Sequence, residues 1–452
     1  MTTKFPKDFI WGTATSSYQI EGAVNEGGRG ETIWDHFCKT TSKIANADNG
    51  DTACNHYHRY KEDIQLMKNL NIKSYRFSIC WSRILPEGTG KVNPIGLQFY
   101  RSIIETLIEN DIEPIITLYH WELPQVLQEK GGWENPKIIN DFMNYANVIF
   151  NEFGDVVKKW ITLNEPMVFT YLGYLKGIHA PGIADEISGA KAVHHALLAH
   201  GETVKLFRKL YPSEGQIGIT LNLAPMYPSE DTIKAQEAAH ISDGFTNRMF
   251  LDPILKGTYP EDILVIIKQQ IQEPSVTNNF TIEKDLKTIS QPIDFIGINY
   301  YSAGFVKEGK QKYEVEPVEM DAPKTDMGWP VTPEGIYDLL IRIKNDYGNI
   351  PLYITENGAA YKDNINEKGE IEDMERIEYL KSHLLMCQKA IADGVNLKGY
   401  YLWSFLDNFE WIDGYTKRFG IVYVDFKSQK RLPKKSAYFY KNVIDQNGLS
   451  LL

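Results

Sequence analysis

The feature that most constrains this chain is its rhythm. Short apolar runs, rich in β-branched and aromatic residues, recur from one end to the other, and longer segments of helical period separate them. Eight such runs stand at residues 9–14, 74–79, 114–119, 159–163, 216–221, 294–298, 351–355 and 398–402. This alternation calls for parallel strands joined by crossover helices, and eight is the number that closes a barrel. Strands this apolar need cover on both faces, which a barrel with an outer ring of helices supplies. The intervening segments agree: 57–69 sets Ile64 and Met67 on a stripe that continues to Leu70, and 93–109 does the same with Leu97, Tyr100, Ile104 and Leu107. No Gly/Ser/Pro-rich linker, low-complexity segment or second repeat period divides the 452 residues. The expectation is α/β in class: a single (β/α)8 TIM barrel domain over 1–452, with long βα loops forming the pocket.

Charge and composition then exclude several kinds of partner. With 24% charged residues and a formal net charge of −11, the surface suits a soluble protein and repels phosphate backbones, so nucleic acid is not an expected partner. No apolar stretch approaches the roughly 20 residues needed to span a bilayer, so no membrane partner is expected. Lys7 and Asp8 interrupt the region where a signal peptide needs an unbroken apolar core, which predicts a cytoplasmic protein. Cys38, Cys54, Cys80 and Cys387 lie far apart and predict reduced, mostly buried thiols. His56, His58, His194, His195 and His200 form no metal-binding spacing, and the glycine-rich segment 26–30 matches neither a dinucleotide fingerprint nor a P-loop, so neither metal nor cofactor is expected.

Chemistry gathers where the runs end. In barrels the loops after strand C-termini build the pocket, and three irregular stretches, 26–55, 302–333 and 404–419, follow predicted strands. Gln19 lies just past the first run, Arg76 within the second, and His120 directly after the third. The fourth ends Thr162-Leu163-Asn164-Glu165-Pro166, the fifth Leu221-Asn222, the sixth Asn299-Tyr300-Tyr301, the seventh Thr355-Glu356-Asn357-Gly358, and the eighth Trp403. A lone glutamate at a strand end is commonplace as a surface group or helix cap. Two glutamates facing across one barrel mouth, with amides, rings and an arginine around them, are what breaking a glycosidic bond requires: one protonates the leaving oxygen, the other attacks the anomeric carbon or activates water.

These segments, with Phe5-Pro6-Lys7-Asp8-Phe9-Ile10-Trp11-Gly12, Ala14-Thr15-Ser16-Ser17-Tyr18-Gln19, Tyr75-Arg76-Phe77-Ser78 and Tyr119-His120-Trp121, occur in an order that resembles the family 1 glycoside hydrolases from Phe5 to about Tyr440. The resemblance implies a retaining β-glucosidase acting on small β-glucosides, with Glu356 as nucleophile and Glu165 as acid/base. It implies that Arg76, Asn299 and Tyr301 support the nucleophile. Gln19, His120, Asn164, Tyr301, Trp403, Glu410 and Trp411 would grip the sugar, with Asn164 on its 2-hydroxyl and Trp403 as a stacking platform. His179, Met327, Trp329 and the loop 307–325 would border the leaving-group site. A second carboxylate about 5 Å away is expected to raise the Glu165 pKa until the nucleophile is consumed.

Two other readings stay open from sequence. One is a 6-phospho-β-glucosidase, opposed by Glu410 because a carboxylate there repels a phosphate dianion. The other is a noncatalytic glycoside-binding protein, opposed by the presence of both glutamates.

Overall fold

The computed structural model describes residues 4–311 and 313–449. All eight runs become strands of one closed barrel: β1 (Ile10–Ala14), β2 (Ser74–Ser78), β3 (Glu113–Tyr119), β4 (Lys159–Asn164), β5 (Gln216–Asn222), β6 (Phe295–Asn299), β7 (Leu352–Asn357) and β8 (Leu397–Trp403). They follow one another around the barrel in chain order, every pairing is parallel, and β8 closes onto β1.

Alternation along the strands sorts the apolar side chains into two layers. Ala14, Ile115, Ile161, Phe295, Tyr353, Tyr401 and Trp403 fill the barrel interior. The other faces meet the helices: Trp160 of β4 stands edge-on to Phe150 of the helix Lys137–Phe153, with ring centroids 5.0 Å apart. Each side chain of this size contributes roughly 1.5–3 kcal/mol when fully buried, which explains why strands with so few polar residues are stable here. The two helices read from their stripes form at His56–Asn69 and Pro94–Glu109. The second starts where Asn93 accepts the Ile95 N–H and Pro94 takes the first helical position, where its missing N–H costs nothing.

The loops are less irregular than expected. The stretch 26–55 contains a helix, Ile33–Thr40, started by reciprocal bonds between Thr32 and Asp35, a capping box visible in the sequence as Thr32-Ile33-Trp34-Asp35. The stretch 302–333 holds the strands Gly304–Glu308 and Val315–Pro317, which join Met226–Pro228 in a small separate sheet. Only 404–419 is nearly free of regular structure, holding the short turn Trp411–Asp413. The four thiols are free, and all but Cys38 are buried. No helix among the described residues is long and apolar enough to cross a membrane.

Two strands break alternation just below the barrel mouth. In β4 the register advances from Ile161 opposite Gly218 to Asn164 opposite Thr220, so β4 carries one extra residue. In β7 it advances from Ile354 opposite Ile298 to Glu356 opposite Asn299, again with one residue extra. Bulges of this kind re-aim the side chains that follow. On β7 Thr355 reaches inward to Asn299, and strict alternation would then turn Glu356 out to the helices; the bulge keeps it inside, bonded to Arg76.

Candidate active site

Glu165 follows β4 at φ 50°, ψ 63°, left-handed values that cost a residue with a Cβ on the order of 1–3 kcal/mol. Its N–H is held by the Thr220 carbonyl at 2.8 Å, and Pro166 opens the next helix, so the chain pivots at this residue. The side chain enters the barrel mouth instead of capping that helix. Its Oε1 accepts from Asn299 Nδ2 at 2.7 Å and Asn222 Nδ2 at 3.2 Å, and no cation among the described residues bonds it.

Glu356 has the opposite surroundings. Oε1 accepts from Arg76 Nη1 at 2.6 Å and Oε2 from the Tyr301 hydroxyl at 2.5 Å. Arg76 is fully committed to the interior: Nε donates to Thr117 Oγ1 at 3.1 Å, Nη1 also to the Thr355 carbonyl at 3.2 Å, and Nη2 to Asn164 Oδ1 at 2.6 Å. Both carboxyls are buried, so desolvation raises both above the usual 4.5. At Glu356 the Arg76 charge and the Tyr301 bond oppose that rise. At Glu165 the Glu356 charge adds to it, and the group is pushed up to about 8 despite its two amide donors. Burial is the larger cause at Glu165, and the neighbouring carboxylate expected from sequence is the second. Burial and the charge of Glu356 also keep the Tyr301 phenol protonated, as a donor must be.

The remaining polar groups form one network. Asn164 Oδ1 takes donors from Arg76 and Asn299, which fixes its amide so that Nδ2 faces His120 Nε2 at 3.1 Å. His120 therefore accepts at Nε2 and carries its proton on Nδ1, a buried atom with no protein partner. Desolvation first, then the Arg76 charge, keep this ring neutral, its pKa well below 6.5. Gln19 donates through Nε2 to Asn408 Oδ1 at 3.0 Å, the Phe409 carbonyl at 2.8 Å and Glu410 Oε2 at 3.4 Å, so it ties the first strand's end to the last loop. Desolvation, helped by Asp413, Glu356 and Glu165, raises Glu410 well above 4.5. Trp403 closes the interior at the end of β8, its ring stacked 5.9 Å from His120, and Trp411 lies over Trp121 at 4.6 Å.

Every site residue expected from sequence thus lies in one connected group, and Asn299 has a second role there. Expected beside the nucleophile, it hydrogen-bonds Glu165 and Asn164, while also lowering the pKa of Glu356. Two neighbours were not among the expected residues: Asn222, and Trp121, whose Nε1 donates to the Asn164 carbonyl at 2.9 Å. Both sit at strand ends, which is the signal that could have found them. His179 lies 5.8 Å from Trp121, and Trp329 5.5 Å from Tyr301, so both border the site.

One acid held protonated and one carboxylate paired with a cation give a definite pH response. The rate constant kcat/KM is expected to fall as pH rises through about 8, where Glu165 loses its proton, and to fall on the acid side at a pH above 4.5, where Glu356 gains one. In Glu165→Gln the alkaline limb should vanish, because an amide does not titrate in this range. A pH series of initial rates on an aryl β-glucoside checks both limbs.

Comparison with known proteins converges on one family. The chain matches Glycosyl hydrolase family 1 over residues 1–449. It is 53% identical over 448 residues to Beta-glucosidase A of Acetivibrio thermocellus, covering 98% of this chain and 99% of that one. It is 49% identical to a 1,4-beta-D-glucan glucohydrolase of Thermotoga neapolitana, with 99% of each chain covered. Among solved structures, a beta-glucosidase from Thermotoga maritima in complex with deoxynojirimycin superposes with a TM-score of 0.96 at 48% identity, covering 99% of this chain and 100% of that one.

Proposed function

The chain belongs to glycosyl hydrolase family 1 and is a glycoside hydrolase, and from that premise we propose that it releases terminal nonreducing β-D-glucosyl residues from small β-glucosides. Cellobiose-type disaccharides and aryl glucosides are the primary substrates of this reading, with β-galactosides and β-fucosides as secondary ones. The observation that carries it is the unequal pair of carboxyls: Glu356 held by a guanidinium and a phenol, Glu165 held by two amides. Relatives at about half identity that are named for β-glucosidase and β-glucan glucohydrolase activity supply the sugar.

In the first step Glu356 attacks the anomeric carbon and the bond to the leaving oxygen breaks as Glu165 protonates it. The product is a glycosyl ester on Glu356 and a free alcohol. Removing the negative charge of Glu356 takes away one of the causes that raise Glu165, which can then act as base. In the second step water gives a proton to Glu165 while its oxygen attacks the ester carbon from the opposite face, so the β configuration is retained. Another sugar in place of water gives transglycosylation from the same ester.

The sugar rim is read from groups with bonding capacity left over. His120 offers its Nδ1–H and Asn164 the second hydrogen of Nδ2, which reaches the 2-hydroxyl in this reading. Glu410 and Trp411 take the outer hydroxyls, with Gln19 offering the lone pair of Oε1 that Ser16 leaves open, and Trp403 provides the apolar platform on which the sugar stacks.

A phosphorylated glucoside fits poorly. Lys417 Nζ is occupied by the Asp326 carbonyl at 2.6 Å, and Arg418 Nη1 is bonded to Asp407 at 2.6 Å and the Val424 carbonyl at 3.0 Å. Arg418 is already paired with Asp407, Lys417 is turned to a backbone carbonyl, and Glu410, an acid, stands on the rim where a phosphate would need a cation. We expect nitrophenol release from nitrophenyl β-glucoside and none above blank from its 6-phosphate, with Glu356→Gln as the blank. Preference for the phosphate would overturn the substrate reading and keep the two carboxyls. Binding without turnover of any glycoside would make the chain a binding protein.

A further inference from the structure

Two amides converge on a single oxygen of Glu165. Asn299 at the end of β6 and Asn222 at the end of β5 both donate to Oε1, at 2.7 Å and 3.2 Å. Asn299 is pinned from its other side: Thr355 Oγ1 donates to its Oδ1 at 2.8 Å, and its Nδ2 also reaches Asn164 Oδ1 at 3.1 Å. The Asn222 amide, half-buried, bonds Glu165 alone among the described residues. A carboxyl oxygen that accepts two N–H groups is a poor place for a proton, because an O–H there would point at hydrogens.

We propose that Asn222 is a positioning residue for the acid: together with Asn299 it keeps the Glu165 proton on Oε2 and receives the charge that develops on Oε1 when that proton leaves. The inference rests on the acid/base reading of Glu165 above and adds which oxygen does the work. In the first step the Oε2–H bond breaks, the proton passes to the glycosidic oxygen as its bond to the anomeric carbon breaks, and the electron pair of the O–H bond stays on the carboxylate. The negative charge shared onto Oε1 then lies against two N–H donors already in place, so no solvent has to reorganise. In the second step Oε2 takes a proton from the attacking water, and the ester oxygen of Glu356 leaves with the electron pair. Asn222 is the better residue to test because removing Asn299 would also disturb Asn164.

The test is Asn222→Leu, which removes the donor and keeps the number and branching of the side-chain heavy atoms. Loss of a donor to the ionised form makes the proton harder to remove, so the alkaline limb of kcat/KM is expected to move to higher pH. The value for an alkyl β-glucoside, whose leaving group needs the proton, should fall at least about ten-fold, while that for a dinitrophenyl β-glucoside should stay within about two-fold. Equal losses on both substrates with the alkaline limb in place would mean a purely structural role and overturn the proposal. Glu165→Gln run in parallel separates the two readings: if it keeps the alkaline limb, the acid/base assignment fails and this inference with it. If it loses the limb while Asn222→Leu leaves it unmoved, only the inference about Asn222 fails.

Discussion

Replacing Glu356 by Gln is expected to lower turnover of every glycoside by at least about 10⁴-fold, with the fold intact. The size follows from the role: without a nucleophile the anomeric carbon has no covalent partner, and the amide left behind neither attacks nor carries charge. The fold survives because Gln still offers an oxygen to Arg76 and the guanidinium keeps its bonds to Thr117, the Thr355 carbonyl and Asn164. Glu356→Gly makes the complementary case. It leaves a gap below the anomeric carbon, and added azide should restore release of a good leaving group by attacking from that side, giving the α-glycosyl azide. Near wild-type turnover in Glu356→Gln, measured against a denaturant midpoint to exclude misfolding, would remove Glu356 from the chemistry.

Replacing Glu165 by Ala is expected to divide substrates by their leaving groups. For alkyl glucosides and disaccharides, whose oxygen must be protonated as it departs, kcat/KM should fall by about 10²–10⁴-fold. For dinitrophenyl glucoside the first step needs no proton, so kcat/KM should stay close to wild type. The second step still lacks its base, so kcat falls and a burst of phenolate precedes a slow steady state. The contrast between the two substrates is diagnostic because misfolding would lower both together. Here azide should act from the other face of the ester and give the β-glycosyl azide.

The barrel was legible because its signal is repetitive: eight apolar runs with helical segments between them admit few other arrangements, and each strand lies within two residues of its expected place. The site was legible at strand ends for the same reason, since position in a barrel, more than residue type, separates Glu165 and Glu356 from the other acidic residues. What sequence did not show were the bulges in β4 and β7. A period of two carries no mark of an extra residue until the neighbouring strand's register is known. Asn299 was expected beside the nucleophile, and it also meets Glu165: it ends β6, between β5 and β7, and sequence spacing does not say that its amide serves both glutamates. Asn222 stood at the end of the fifth run, but its bond to Glu165 depends on the left-handed turn that swings that side chain across. The upward shift of Glu410 could not be read from sequence, because desolvation belongs to the assembled pocket and not to a residue type.

The central claim is that Glu356 forms an ester with the sugar while Glu165 handles the proton. It is tested most directly by incubating the protein with a 2-deoxy-2-fluoro-β-glucoside bearing a dinitrophenolate leaving group, then measuring the intact mass and the modified peptide. The fluorine slows both steps by destabilising positive charge at the anomeric carbon, and the good leaving group keeps the first step ahead of the second, so the ester accumulates. The account predicts one fluoroglucosyl group per chain, carried on Glu356 within Tyr353-Ile354-Thr355-Glu356-Asn357-Gly358. A sugar carried on Glu165, or an unlabelled protein that goes on releasing phenolate, would contradict it.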